Sequence, residues 1–235
     1  MTPEISIRSF SADQYTLDKV FYSNYYRVKK FEEESVAIDV GAHAGYFSML
    51  CAMRGVKKIY NLEPFIENYK LLQKNTESFV ERTSNLKLGI YTENKLAELA
   101  YPKFENNFFF FSKAHFDPEA ELHDLCSFVT LDTFLETIKA TKNDLLKINI
   151  GYAEIDILTS SNLLGNCEHI CGETTESEDK ITSLIESMKS KGYNDSYFAK
   201  SNEKENTHVF LFAKNKCDDL FDLVVSGEPN TEDQG

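Results

Sequence analysis

Two carboxylates stand where apolar runs end. Asp39 closes the run at 36–38, and Glu63, 24 residues further on, follows the run at 58–62. Between Asp39 and the next apolar stretch the chain reads DVGAHAG, residues 39–45. Gly41 and Gly45 carry no Cβ, so the backbone can turn sharply and a helix can start close to a sheet or a ligand. Ligands of open α/β sheets sit outside the carboxyl ends of the strands, where such a turn lies. The spacing is Gly-x-x-x-Gly, not the G-x-G-x-x-G of dinucleotide sites, and an acid at the strand end would repel a pyrophosphate. The absence of Gly-Lys-Ser/Thr excludes a P-loop. A carboxylate there suits a ligand with a cationic part, such as the methionyl sulfonium of S-adenosylmethionine. Glu63 can accept hydrogen bonds from both hydroxyls of a ribose. The cofactor-binding candidates are Asp39, Gly41, Ala42, His43, Gly45, Tyr46, Glu63, Pro64 and Phe65. Plain strand-end capping by Asp39 and Glu63 is the alternative, and a different nucleotide in the same crevice is another.

A second group of reactive side chains surrounds the apolar run at 145–150. Lys147, Asn149 and Glu154 lie on or just after it, and with His43 they are the catalytic candidates. Glu173, at the end of a later run, is a further proton acceptor. Asn149 can hydrogen-bond a hydroxyl or an amine but cannot act as a base at neutral pH. The plainer readings are His43 as a turn residue, Glu154 as an acid in the first turn of a helix, and Lys147 as a stem packed at the sheet edge. Cys167, His169 and Cys171 alternate along one strand, but that extended spacing matches no standard zinc motif. No metal site is expected, and buried thiols are the better account.

The elements that must position these residues alternate in type. Runs at 36–40, 58–62, 86–91, 145–150 and 169–173 read as parallel strands buried on both faces. Helices are expected after 45, from 65 to 76, after an N-cap at Thr130 or Asp132, from 153 to 163, and through Ile181, Leu184, Ile185 and Met188 to a Gly192 cap. Strands at 193–199 and 208–213 close the chain as a hairpin-like pair. This order predicts a Rossmann-like, doubly wound, mostly parallel sheet with a terminal antiparallel strand pair. Residues 1–34 are expected to form a helical cover segment, 35–216 the domain, and 217–235 a frayed tail. Residues 92–128 show no readable pattern beyond four consecutive phenylalanines at 108–111, expected in a buried strand; His115 and His123 fall in the same stretch.

The 235 residues carry a formal net charge of −13, with acids spread throughout. Such a field repels phosphate backbones and acidic membranes, so neither nucleic acid nor membrane is an expected partner. No stretch approaches the roughly 18 apolar residues of a membrane span, and no secretory leader is expected. Five cysteines without framework spacing fit reduced thiols in a cytoplasm.

Three stretches together resemble the FkbM-type S-adenosylmethionine-dependent methyltransferases. They are residues 38–48 (IDVGAHAGYFS); residues 60–65 (YNLEPF) with 71–75 (LLQKN) behind them; and residues 130–134 (TLDTF) leading to 145–158 (LLKINIGYAEIDIL). The resemblance implies the seven-stranded class I methyltransferase fold, S-adenosylmethionine as cofactor, and O-methylation of a small-molecule or sugar hydroxyl. The third stretch departs from the family pattern, Leu-Lys-Ile-Asp-Val-Glu-Gly-x-Glu. Asn149 and Gly151 replace two acids, Tyr152 replaces the glycine, and Lys147 and Glu154 remain. The departure admits a second function, an S-adenosylmethionine-binding module that serves as a sensor or partner subunit.

Overall fold

The computed structural model describes residues 4–9, 11–28, 31, 34–101, 122–139, 143–151, 153–202 and 207–217. The phenylalanine run at 108–111, His115, Tyr152 and residues 218–235 lie outside the described residues. The chain begins with a short helix α1 (Asp13–Leu17) that continues as a turn of π-helix over Asp18–Tyr22. Then follow β1 (Val36–Val40), α2 (Tyr46–Met53), β2 (Lys58–Leu62), α3 (Ile66–Asn75) and β3 (Thr83–Leu86). A small sheet comes next, from β4 (Gly89–Ile90), β5 (Lys95–Tyr101) and β6 (Leu122–Val129). The chain then returns to the main sheet with α4 (Leu131–Thr137), β7 (Asn143–Ile148), α5 (Glu154–Ser160), β8 (Cys167–Thr174), α6 (Glu178–Ser190), β9 (Asp195–Asn202) and β10 (Thr207–Ala213).

The main sheet has seven strands in the order β3-β2-β1-β7-β8-β10-β9. β3, β2, β1, β7 and β8 are parallel, and β10 runs antiparallel to both β8 and β9. This is the expected doubly wound sheet with its terminal antiparallel pair. The strand order reverses between β1 and β7, and that reversal opens the crevice in which such sheets bind ligands.

Alternation along each strand divides the core into two layers. Ala37, Ile59, Leu145 and Leu211 pack under α2, together with Leu17, Val20, Tyr26 and Val28 from the segment before β1. Ile38, Val40, Leu146, Ile148, Ile170 and Phe210 pack on the opposite face with Leu135, Leu158, Leu184 and Met188 of α4, α5 and α6. Cys171 belongs to the first layer and Cys167 to the second, so the two thiols do not share a site.

Two caps end or start helices as the sequence predicts. The Thr130 hydroxyl accepts the Thr133 amide at the start of α4, satisfying one otherwise orphaned donor. After α6, Gly192 is left-handed at φ 91°, and the amides of Gly192 and Tyr193 donate to the carbonyls of Lys189 and Met188. That pair of bonds is the Schellman closure.

Several boundaries differ from expectation. The third strand is Thr83–Leu86, not 86–91, and the apolar run at 88–91 turns away to begin the small sheet. β7 starts and ends two residues before the expected run, and α5 stops at Ser160 because Asp132 takes over the next groups. Its carboxylate accepts from the Ser161 hydroxyl and the amides of Asn162 and Leu163. The unpatterned stretch contains an antiparallel pair, β5 with β6. Among the described residues no helix is long and apolar enough to cross a membrane.

Candidate functional site

A row of polar residues crosses the sheet at one level. Lys147, Asp39, Asn61 and Asn85 are register neighbours on β7, β1, β2 and β3. Asp39 is fully buried, with Lys147 Nζ 2.9 Å from Oδ1 and the Ser48 hydroxyl 2.8 Å from Oδ2. The same ammonium donates to the Gly41 carbonyl at 2.7 Å and lies 3.4 Å from that of Val40. The charge of Asp39 is therefore balanced inside the protein, and Asp39 stands behind the cleft wall. Lys147 is its counter-ion, and the same ammonium is held by the two turn carbonyls.

The turn after β1 needs both of its glycines, for different reasons. At Gly41, φ is 75° and a Cβ would lie 2.0 Å from the Asn149 carbonyl oxygen, so the turn is pressed onto the end of β7. At Gly45, φ is 83° and a Cβ would meet Leu72 of α3 at 2.7 Å. Gly45 thus serves the packing of α2 on α3 and does not line the cleft.

A cleft opens at the carboxyl ends of β1, β2 and β7. Its floor and walls include Gly41, Ala42, His43, Tyr46, Glu63, Pro64, Phe65, Lys147 and Asn149. Seven of the nine cofactor-binding candidates therefore come together, and Asp39 and Gly45 stay behind the wall. Glu63 is 6 % exposed. One of its oxygens accepts the His43 amide at 2.8 Å and the other the Phe65 amide at 3.0 Å. Burial pushes its carboxyl above the usual range, with these amide bonds acting in the opposite direction. The Asn68 side chain donates to it as well, so of the roughly four acceptor positions of a carboxylate about one remains for a hydroxyl from the cleft.

His43, at φ 52°, meets the N-terminal segment. Its Nε2 lies 3.2 Å from Arg8 Nη2 and 3.6 Å from Asp13 Oδ1. Burial, reinforced by the Arg8 cation, pushes the imidazole down to about 4, so it is neutral at pH 7. Burial alone would raise the Asp13 carboxyl, but hydrogen bonds and charge from Arg8 outweigh it and hold it low.

Glu154 opens α5 and is fully buried behind the cleft loop, where Oε1 accepts the Ile150 amide at 2.8 Å. Burial pushes its carboxyl up to about 7. It holds the loop that presents Ile150 and Gly151 to the cleft and has no wall of its own there. Asn149, by contrast, faces the cleft. Glu173 lies beside Asn149 on the next strand, engaged with Lys19 at 2.5 Å.

Sequence reasoning missed three parts of the wall. Thr16, Val20 and Tyr26 come from the segment before β1, and Asn68 from α3. Gly89, Ile90, Tyr91, Leu99 and Phe128 come from the small sheet and make an apolar flank beside Pro64 and Phe65. The Phe128 ring covers Gly89 so closely that a Cβ there would lie 2.3 Å from it. Cys126 Sγ reaches the Pro64 carbonyl at 3.1 Å, and Asp124 accepts the Ile66 amide, so the small sheet also fixes the Glu63 loop. The one available signal was the glycine in the run at 88–91, which marks a close approach. Among the described residues, no group of three His, Cys, Asp or Glu side chains is arranged to hold a metal ion.

Solved structures share this architecture at low sequence identity. The chain matches the methyltransferase FkbM of Methylobacillus flagellatus KT with a TM-score of 0.54 at 11 % identity, over 84 % of this chain and 47 % of that one. It thus spans about half the length of that protein. A human methyltransferase 10 domain containing protein matches with a TM-score of 0.51 at 11 % identity, over 84 % and 81 % of the two chains. An rRNA methylase from Streptococcus thermophilus matches with a TM-score of 0.50 at 10 % identity, over 83 % and 95 %. No curated protein sequence matches the chain. The family model of the methyltransferase FkbM domain matches residues 39–195, which run from the first acid of the turn to the start of β9, and the chain belongs to that family.

Proposed function

We propose that the protein uses S-adenosylmethionine to methylate a hydroxyl of a small molecule or sugar. The observation that carries this reading is Glu63, a buried carboxylate in the cleft wall with acceptor capacity left over, flanked by the apolar surface of Pro64, Phe65, Ile90 and Phe128. A nucleoside needs that pairing, an acceptor for ribose hydroxyls beside an apolar slot for the base. The donor set therefore fits the cofactor. Glu63 would hold the ribose, and the turn at Gly41, Ala42 and His43, with Tyr46 nearby, would hold the rest.

When bound, S-adenosylmethionine supplies a methyl group on a sulfonium, reactive enough that positioning of the acceptor contributes much of the rate. The chain's own residues provide that positioning. Lys147 and Asp39 fix the turn, Glu154 fixes the loop at 150–151, and the segment before β1 covers the cleft and excludes water. Asn149 can orient an acceptor hydroxyl by hydrogen bonding. Because Lys147 is held by Asp39 and two carbonyls and Glu154 is enclosed, the proton of the acceptor hydroxyl would pass to solvent.

The net charge of −13 supports a small acceptor over nucleic acid, and five buried thiols support a cytoplasmic protein. The replacement of acids at 149 and 151 favours a second reading, a module that binds the cofactor without transferring it. The test is methyl transfer from isotopically methyl-labelled S-adenosylmethionine to a panel of sugars and small hydroxyl compounds, with RNA in parallel. Label on a hydroxyl compound supports the proposal. Label on RNA alone overturns the acceptor class, and cofactor binding with no transfer to any acceptor favours the module.

A further inference from the structure

Asn149 joins three parts of the chain that are far apart in sequence. Its Nδ2 donates to the Tyr26 hydroxyl at 2.9 Å and approaches Glu173 Oε2 at 3.5 Å. The same Glu173 oxygen accepts Lys19 Nζ at 2.5 Å, and that ammonium sits 3.9 Å above the Tyr25 ring. Tyr26 is 5 % exposed, packs edge-on against Phe47 at 5.3 Å and forms part of the cleft wall with Thr16 and Val20. The segment before β1 is thereby fastened to the ends of β7 and β8 by one amide and one ion pair.

The chemistry of position 149 decides whether this junction holds. An amide presents two N–H donors, and both point at oxygens. A carboxylate at 149 would present only acceptors, and it would face Glu173 at the present 3.5 Å with like charge in a largely enclosed place. Asn149 is thus matched to Glu173, and the exchange of an acid for an amide is compensated from the neighbouring strand.

We propose that Asn149 and Glu173 act as a pair of positioning residues that hold Tyr26 and the segment before β1 as the closing wall of the cleft. This rests on reading the cleft as the cofactor site. The pair makes the altered motif a rewired form of the site, with its carboxylate supplied by β8.

The experiment compares wild type, Asn149→Asp and Asn149→Asp/Glu173→Gln. Affinity for S-adenosylhomocysteine is measured by calorimetry, and amide hydrogen exchange is followed over residues 16–28. Asn149→Asp is expected to weaken binding about tenfold or more and to speed exchange across that segment, as breaking a coupled pair does. Adding Glu173→Gln removes the like-charge clash and restores a donor facing the new acid, but it gives up the Lys19 ion pair, so it should recover part of the lost affinity and protection. Unchanged binding and exchange in Asn149→Asp would overturn the proposal. So would a double variant no better than the single, because Asn149 would then act on the ligand directly. If wild type binds no S-adenosylhomocysteine, the cofactor reading fails. The exchange pattern still decides the pairing, since loss of protection in the single variant and its partial return in the double support it and no change refutes it.

Discussion

Replacing Lys147 by methionine tests whether this side chain is a structural counter-ion. Methionine keeps the length and apolar contact of the lysine stem while removing the charge. The Asp39 carboxylate, fully buried with Lys147 Nζ at 2.9 Å, would keep only the Ser48 hydroxyl as a close partner. The carbonyl of Gly41 would lose its donor as well. Stranding one member of a buried pair costs about 3–5 kcal/mol, whereas removing both charges is often close to neutral. Lys147→Met should therefore be destabilised by that amount in urea unfolding at pH 7.5. Asp39→Asn/Lys147→Met should recover most of the loss, since an amide at 39 can still bond Ser48. A single variant within about 1 kcal/mol of wild type, or a double variant as unstable as the single, would show that Asp39 does not depend on Lys147, and the argument would fail.

Two other substitutions probe the turn and the loop. Gly41→Ala adds a Cβ 2.0 Å from the Asn149 carbonyl at a left-handed φ of 75°, and should lower unfolding stability by about 3 kcal/mol or more. A change below about 1 kcal/mol in denaturant titration would mean that the two loops do not touch as described. Glu154→Gln should become more stable than wild type as pH rises. Burial lifts this carboxyl from 4.5 to about 7, so its contribution is fully present below pH 4.5 and is lost as pH climbs through about 7. The advantage of the glutamine should grow across that window to about 3 kcal/mol, and taking the difference from wild type at each pH cancels the opposite trend of the buried His43. A difference independent of pH from 4 to 8 would contradict the enclosed placement of Glu154.

Much of the scaffold was legible because its signals are local. The apolar runs that became β1 and β2, the Thr130 cap and the Gly192 closure each lie within a few residues. β3 was misplaced because its sequence, TSNL, is polar and only half-buried at the sheet edge, while the stronger apolar run beside it belongs to another sheet. The β5–β6 pair was missed because its inward set, Ala97, Leu99, Cys126 and Phe128, is mixed with exposed Leu96 and Leu125 on the outer face, which blurs the alternation.

The site divided along the same line. The turn, Glu63 and its two neighbours follow from strand ends and spacing, and they do converge on the cleft. That Asp39 would be neutralised by Lys147 follows only from the pairing of β1 with β7, which no local pattern encodes. The roles of Tyr26, Lys19 and Glu173 depend on contacts across 24 to 154 residues. Single-sequence periodicity carries no information at that range.

The central claim is that Glu63 and the turn after β1 form a nucleoside-binding cleft for S-adenosylmethionine. Calorimetric titration with S-adenosylmethionine and S-adenosylhomocysteine, with NAD as control, tests it most directly on wild type and Glu63→Ala. Binding of the first two at about micromolar Kd, no binding of NAD, and a loss of about 2 kcal/mol or more in Glu63→Ala are the predicted results. Absence of binding by wild type, or equal affinity in a folded Glu63→Ala protein, would contradict the account.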